Sequence, residues 1–272
     1  MSKKLGQHFL VNKNKIQKIV ETLELKKGDV VVEIGPGHGE LTEEIATSDK
    51  RHEVKIIAIE KDEALAKGLK EKFKDNNIEI IEGDALKILT DLTYNFKSTT
   101  NNYKLIGNIP YYITGKLLRI LSELENKPFM IVLTIQKEVA QRICAKVPQM
   151  NLLAAITQYW AEPEIIDYIS KKDFQPAPKV DSAIIRLSPW INAGHTQIDA
   201  DKFYEFVKVL FKQPRKTILN NIQRSSFEYN ESKAKYTNKD EIVEKLQALG
   251  IKSQDRPQNL SIEQIRYLST LF

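Results

Sequence analysis

Hydrophobic and polar positions alternate in blocks between residue 30 and about residue 187. Short apolar runs rich in valine and isoleucine are typical of strands buried on both faces, and longer amphipathic stretches are typical of helices. Predicted strands cover residues 30–34, 54–59, 78–81, 104–107 and 129–135, and predicted helices cover residues 12–23, 40–46, 62–74, 114–124 and 138–146. The alternation predicts an α/β fold in which βαβ units build a mainly parallel sheet covered on both faces by helices.

The pattern changes after residue 188. Residues 188–199, SPWINAGHTQID, are mostly polar and contain Pro and Gly, which indicates a domain boundary. Helical stretches then cover residues 202–211, 216–222 and 239–249, and Ser261 with Gln264 fits a capping box that opens a last helix. We therefore expect one domain over residues 1–188 and a small all-helical domain over residues 189–272. Residues 90–103 are polar and predict a surface loop.

The composition is that of a globular protein and argues against several other classes. Apolar residues make up 42% of the chain and charged residues 28%, and the net charge is only +5, so a polyanionic partner would have to be met by local clusters of positive charge. Cys144 is the only cysteine and the four histidines are scattered, so we expect no disulfide and no metal. No apolar stretch approaches the about 20 residues that span a bilayer, and no secretory signal is recognisable, which makes the cytoplasm the expected location.

A glycine-rich segment, EIGPGHGELT, follows the first predicted strand of the sheet and opens a helix. Ligands of open α/β sheets bind at such strand ends, where Gly35, Gly37 and Gly39 would let the backbone turn tightly and approach a ligand. A dinucleotide fingerprint would require a third glycine at position 40, which is Glu40, and a carboxylate there would repel a pyrophosphate. The segment therefore favours a ligand without phosphate groups.

Acidic residues follow the next two predicted strands. Glu60 closes the strand IIAIE, about where a carboxylate accepts hydrogen bonds from ribose hydroxyls. Asp84, in EGDA, is placed to accept a bond from the exocyclic amine of adenine. Together with the glycine loop, the two carboxylates predict a nucleoside ligand, and S-adenosylmethionine fits.

The fourth strand end, GNIPYY at residues 107–112, predicts the acceptor site. Pro110 restricts the preceding residue to an extended conformation, which holds Asn108 toward the cleft. An aryl amine is a weak nucleophile that needs hydrogen-bond acceptors for its N–H groups, and the Asn108 side-chain oxygen supplies one while Tyr111 stacks on the base. On these residues alone, adenine, cytosine and a glutamine side-chain amide all remain possible acceptors.

Seven motifs in series resemble those of the ribosomal RNA adenine N6,N6-dimethyltransferases, and their order and spacing fit that family. They are GQHFL (6–10), EIGPGHGELT (33–42), IEKD (59–62), EGDAL (82–86), GNIPYYIT (107–114), QKEVAQRI (136–143) and FQPAPKVDSAIIRL (174–187). FKQPRKTILNN (211–221) and RPQNLS (256–261) fit as well, so the resemblance covers nearly the whole chain and is nearest to the bacterial small-subunit type.

The resemblance implies a fold, an activity and site residues. The fold would be the Rossmann-like sheet of class I S-adenosylmethionine-dependent methyltransferases, with residues 1–188 as the catalytic domain and residues 189–272 as an rRNA-binding domain. S-adenosylmethionine would be bound by the glycine loop with Gly37 and, by family match, by His8, Leu10, Gly35, Glu60, Asp84 and Asn108. Asn108 and Tyr111 would bind the target adenine, and Phe174 would stack on its other face. Without the resemblance, a Phe in a Pro-rich loop is more often a buried hydrophobic residue that fills the core.

Two clusters of positive charge would hold the RNA backbone, and a looped or single-stranded adenine would be the substrate. They comprise Lys3, Lys4, Lys13, Lys15 and Lys18 near the N-terminus, and Lys202, Lys208, Lys212, Arg215, Lys216 and Arg224 near the C-terminus. Either cluster could also be an ordinary solvated surface.

The leading hypothesis is a monomeric enzyme of small-subunit biogenesis that dimethylates N6 of two adjacent adenosines in a hairpin loop near the 3′ end of small-subunit rRNA. Three alternatives remain. They are a large-subunit rRNA methyltransferase that confers macrolide resistance, a non-catalytic assembly factor, and, more remotely, a nicotinamide dehydrogenase.

Overall fold

The computed structural model describes residues 7–48, 53–74, 77–96, 103–190, 199–223 and 238–272. The strands are β1 (Phe9–Leu10), β2 (Val30–Ile34), β3 (Lys55–Glu60), β4 (Ile78–Glu82), β5 (Tyr103–Asn108), β6 (Met130–Gln136), β7 (Ala161–Ile169), β8 (Phe174–Gln175) and β9 (Ser182–Pro189). The first seven helices are α1 (Lys13–Glu21), α2 (Glu40–Ser48), α3 (Glu63–Lys72), α4 (Ala85–Asn95), α5 (Thr114–Glu123), α6 (Lys137–Ile143) and α7 (Leu152–Trp160). Four more helices follow, α8 (Ala200–Leu210), α9 (Ile218–Gln223), α10 (Lys239–Gln247) and α11 (Ile262–Leu271).

Seven strands form one sheet in the order β4-β3-β2-β5-β6-β9-β7. The pairs among β4, β3, β2, β5 and β6 are parallel, and β9 runs antiparallel to β6. The chain leaves β2 toward β3 on one side, while β5 lies on the other side, so the strand order reverses between β2 and β5. Ligands of open α/β sheets bind outside the carboxyl ends of the strands at such a reversal.

The central strands are buried because the sheet carries apolar side chains on both faces. Val31, Leu105 and Ile131 are fully buried in three adjacent strands, as the continuous valine and isoleucine runs predicted. The predicted parallel sheet is confirmed, with strand bounds that differ by a residue or two from those expected.

The predicted loop over residues 90–103 is wrong at both ends. Helix α4 continues to Asn95 and β5 begins at Tyr103, while residues 97–102 lie outside the described part of the chain. The helix continues because Leu89 and Thr93 lie four residues apart and form one buried face. Most other residues of this segment are polar, which is why its composition indicated a loop. The Tyr103 ring packs against Phe96 at 5.1 Å between ring centroids, so this end of the strand belongs to the core.

The described residues divide into two compact units. One comprises residues 1–141 with 162–191, and the other comprises residues 142–161 with 192–272. Helix α7 is part of the second unit, where it packs on α8 and α11, although residues 142–161 precede the predicted boundary. Residues 191–198 of that boundary lie outside the described residues, and the assignment of one function to each domain stays a prediction.

Among its described residues, the second unit contains the helices α7 to α11 and a 3-10 helix, Pro257–Asn259. The predicted capping box at Ser261 and Gln264 is confirmed: the Gln264 backbone N–H donates to the Ser261 hydroxyl, and the Gln264 side chain accepts from the Ser261 backbone N–H. Asn221 holds the connection between α8 and α9, because its side-chain oxygen accepts from the Gln213 N–H at 3.0 Å and its amide donates to the Gln213 carbonyl. Among all described helices, none is long and apolar enough to cross a membrane.

Candidate active site

A cavity of about 330 Å³ lies at the carboxyl ends of the strands where the order reverses. It is lined by most of the residues that the sequence predicted for the site: His8, Leu10, Gly35, Gly37, Glu60, Asp84, Asn108 and Tyr111. Glu40, the residue that departs from a dinucleotide fingerprint, also lines the cavity. The topology therefore brings four strand ends and the N-terminal segment together around one space.

The glycine loop and Glu60 form one hydrogen-bonded unit. Gly35 and Gly37 have φ angles of 66° and 63°, which favour glycine, as the tight turn predicted. The Gly37 N–H donates to one oxygen of the buried Glu60 carboxylate at 3.0 Å, and the Asp62 N–H donates to the other at 2.8 Å. These bonds hold the carboxylate at the cavity wall, and each oxygen keeps a lone pair for a ligand hydroxyl.

Asp84 caps helix α4 and pairs with a lysine that the sequence reasoning did not single out. Its carboxylate accepts from the Leu86 N–H and from the Lys61 ammonium, each at 3.0 Å. Partial burial raises the pKa of Asp84, but the hydrogen bonds from Lys61 and Leu86 and the charge of Lys61 together outweigh it and lower the pKa below its ordinary value. The carboxylate is thus ionised at neutral pH and able to accept a bond from an amine.

The side chain of Asn108 is oriented by the N-terminal segment. Its amide nitrogen donates to the His8 carbonyl at 2.9 Å, which leaves the Asn108 side-chain oxygen as an acceptor. Gly107 allows β5 to lie close to β2 at this point, because a Cβ there would stand 2.8 Å from the Ile34 carbonyl oxygen. A side chain at position 107 would therefore displace the strand end that carries Asn108.

Tyr111 is held from two sides. Its hydroxyl lies 2.6 Å from the hydroxyl of the fully buried Ser182, and its ring stacks on the His8 imidazole with ring centroids 5.9 Å apart. Burial raises the pKa of Tyr111 above its ordinary value, so the phenol is neutral at physiological pH. The ring is thus a fixed, uncharged surface at the cavity wall.

Phe174 lies in the core rather than among the residues that line the cavity. It is 4% exposed and pairs with Leu10 where β8 meets β1. Its segment is tied to the N-terminal segment by further bonds, from the Val11 N–H to the Asp173 carbonyl and from His8 Nδ1 to the Pro176 carbonyl at 2.7 Å. A stacking role for Phe174 stays a prediction.

Glu33, at the start of the glycine motif, is a buried acid that the sequence reasoning did not single out. Burial raises its pKa to about 7, against the lowering effect of a 2.6 Å hydrogen bond from the Thr42 hydroxyl. Its second oxygen has no hydrogen-bond partner among the described residues. The signal available in the sequence was an acidic residue inside an otherwise apolar strand.

Part of each predicted positive cluster is described. Lys15 pairs with Asp167 and Lys208 with Glu205, each at 2.7 Å. The remaining described members are exposed, namely Lys13, Lys18, Lys202, Lys212, Arg215 and Lys216. Lys3, Lys4 and Arg224 lie outside the described residues. Within the described ranges, no group of three or more His, Cys, Asp or Glu side chains is arranged to hold a metal ion.

The chain is similar to known proteins over almost its full length. The family model described as ribosomal RNA adenine dimethylase matches residues 1–255. A ribosomal RNA small subunit methyltransferase A from Mycoplasma capricolum is 39% identical over 265 residues, covering 95% of this chain and 92% of the relative. The protein of the same name from Clostridioides difficile is 35% identical over 274 residues, covering 99% and 90%.

Two solved structures are also similar over almost the full length. A dimethyladenosine transferase from Plasmodium falciparum superposes with a TM-score of 0.79 at 25% identity, covering 97% of this chain and 96% of that one. The 23S rRNA methyltransferase ErmE superposes with a TM-score of 0.71 at 25% identity, covering 96% and 98%.

Proposed function

The chain belongs to the ribosomal RNA adenine dimethylase family, and from that premise we propose that it transfers methyl groups to N6 of two adjacent adenosines in small-subunit rRNA, two on each. Its fold is the Rossmann-like fold of class I S-adenosylmethionine-dependent methyltransferases, and S-adenosylmethionine is the methyl donor. The small-subunit substrate is favoured because relatives at 35–39% identity carry that name, whereas ErmE is 25% identical.

The donor supplies an electrophilic methyl group on a sulfonium, and the cavity residues fit its nucleoside part. Glu60 would accept from the ribose hydroxyls and Asp84 from the adenine amine, and the open space around Gly35 would allow close approach of the ligand. Gly37 leaves room instead for the Phe9 ring, which a Cβ at position 37 would meet at 2.8 Å. Glu40 lines the cavity in the first turn of α2, and its negative charge there disfavours a diphosphate. His8 and Leu10 complete the wall from the N-terminal segment.

The orientation of Asn108 carries the proposal for the acceptor. Because its amide nitrogen is already bonded to the His8 carbonyl, its oxygen faces the acceptor amine as a hydrogen-bond acceptor. Accepting an N–H bond lets the amine nitrogen pyramidalise and direct its lone pair at the methyl carbon. Methyl transfer would form the N–C bond as the S–C bond breaks, and the alkylated nitrogen would then release its proton to water, so no strong base is needed before attack. Tyr111 offers a neutral aromatic face to the base.

The partner is unpaired rRNA within an immature small subunit, and the chain acts as a monomer in the cytoplasm. An adenine amine must leave its base pair to reach the methyl group, which requires a looped or splayed nucleotide. The exposed lysines and arginines of the two positive clusters hold the phosphate backbone, so binding weakens as salt rises.

The test is a methyl-transfer assay with labelled S-adenosylmethionine and small subunits that lack the modification, followed by digestion and mass spectrometry. We expect N6,N6-dimethyladenosine in the small-subunit RNA and none in large subunits treated in parallel. Label in large-subunit adenine alone would support the macrolide-resistance type, and binding of subunits without transfer would support an assembly factor.

Variants assign the acceptor role within the same assay. Asn108→Ala is expected to lose transfer while the protein still binds small subunits. Asn77→Ala is the matched control, because Asn77 is exposed and does not line the cavity. Transfer by Asn108→Ala at the rate of the control would contradict the role given to Asn108.

A further inference from the structure

An exposed aromatic residue stands at the mouth of the cavity. Tyr112 is 63% exposed and is also one of the residues that line the cavity. It directly follows Tyr111, whose hydroxyl is turned toward the buried Ser182. Adjacent residues of the short 3-10 helix Tyr111–Ile113 point in different directions, so one tyrosine closes the cavity wall and the next one meets solvent.

A positive charge accompanies Tyr112 at the same mouth. Lys116 lies four residues further on, near the start of α5, is exposed and lines the same cavity. Tyr112 belongs to the 3-10 helix that leads directly into α5, so the two residues line the cavity from consecutive elements of the chain. The second lysine of the cavity, Lys61, is bonded to Asp84 at 3.0 Å, whereas Lys116 forms no ion pair with any residue in the described ranges.

An RNA substrate would also contact the protein at the mouth of the cavity. A nucleotide whose base enters the cavity remains joined through phosphodiesters to its neighbours, which must lie at the mouth. An aromatic face and an ammonium group are the two features that single-stranded nucleic acids use, the first for a base and the second for a phosphate.

We propose that Tyr112 and Lys116 form a subsite for the nucleotide next to the target adenosine, in which Tyr112 stacks on the neighbouring base and Lys116 contacts the connecting phosphate. The inference rests on the proposed function and adds to it a substrate-positioning site outside the methyl-transfer centre. When two adjacent adenosines are modified, the stacked base is the other adenine for the one of the two whose partner lies on the side of the subsite.

The experiment compares Tyr112→Ala and Tyr112→Phe with Tyr94→Ala, a matched control because Tyr94 is 62% exposed and does not line the cavity. For each variant, kcat and KM are measured with unmethylated small subunits, and S-adenosylmethionine affinity is measured by calorimetry. Loss of base stacking predicts that Tyr112→Ala lowers kcat/KM for subunits about 5- to 150-fold, mainly through KM. Tyr112→Phe keeps the aromatic face and is expected to stay near wild type, and donor affinity is expected not to change.

Lys116→Gln tests the phosphate contact separately. Removing one phosphate contact is expected to reduce the slope of log affinity against log salt by about 1. Lys116→Arg, which keeps the charge, is expected to preserve the slope.

Three results would overturn the inference. Tyr112→Ala could match Tyr94→Ala in KM, Lys116→Gln could leave the salt slope unchanged, or Tyr112→Ala could lose donor affinity in step with activity, which would place Tyr112 over the donor. Each of these presupposes a wild-type protein that methylates small-subunit adenine. Absence of that activity in the wild type would instead refute the proposed function, and this inference with it.

Discussion

The hydrogen bond between Tyr111 and Ser182 gives a sharp prediction, because its two ends differ in exposure. The hydroxyls lie 2.6 Å apart, Ser182 is fully buried and Tyr111 is only partly so. Ser182→Ala leaves a phenol that can turn to water, and should cost about 1 kcal/mol of the free energy of unfolding. Tyr111→Phe leaves a buried hydroxyl without its partner, and should cost about 1–3 kcal/mol.

The double variant distinguishes a coupled pair from two independent residues. With both hydroxyls removed, no buried group loses its partner, so the cost of Tyr111→Phe with Ser182→Ala should fall below the sum of the single costs by about 1 kcal/mol. Urea unfolding of the four proteins, followed by circular dichroism, measures the coupling. The same four proteins, assayed in single turnover on small subunits, show whether loss of this bond slows transfer through a misplaced Tyr111 ring.

Additivity would refute the argument. If the two single costs add to within about 0.5 kcal/mol, the hydroxyls do not interact in solution as they do in the structure. If Ser182→Ala is the costlier single change, the reasoning from burial is wrong even when the pair is coupled.

Two predictions concern buried charges. Burial raises the pKa of Glu33 from an ordinary value of 4.5 to about 7, so the folded state binds the proton more tightly and the free energy of unfolding falls as pH rises between those values. Glu33→Gln should remove about 3 kcal/mol of that fall, measured by urea unfolding at pH 4.5 and at pH 8. Parallel pH profiles for the two proteins would contradict this prediction. Lys104→Met should lower the free energy of unfolding by about 3–5 kcal/mol in the same assay, because Lys104 pairs at 2.8 Å with the buried Asp29, and its loss leaves the Asp29 charge uncompensated. A decrease below about 1 kcal/mol would contradict a buried ion pair.

Much of the site was predictable because it depends on local patterns. In a parallel sheet the carboxyl ends of all strands lie at one edge, so recognising where β2, β3 and β5 end was enough to bring Gly35, Glu60 and Asn108 together. The glycine spacing also identified a turn, which the positive φ angles bear out.

What escaped the sequence reasoning depends on burial and on distant partners. The polar composition of residues 90–95 indicated a loop, although they continue α4, because most of these residues are exposed and polar and few are buried. The spacing of the buried positions was the better predictor. The pairing of Lys61 with Asp84 follows from side-chain packing that no short motif encodes, whereas the position of Glu33 inside an apolar strand was a signal of its burial. Phe174 shows the reverse case, since composition favoured a buried plug and the structure places the ring in the core.

The acceptor geometry itself depends on such a distant contact. Strands β1 and β8 have two residues each and lie more than 160 residues apart in the chain, so neither is recognisable as a strand in the sequence. Yet their pairing holds the N-terminal segment beside β5, where the His8 carbonyl accepts a hydrogen bond from the Asn108 amide nitrogen and so leaves the side-chain oxygen as the acceptor. Motifs near the start of the chain and after β7 therefore act together to orient the Asn108 amide, on which the proposed acceptor role depends.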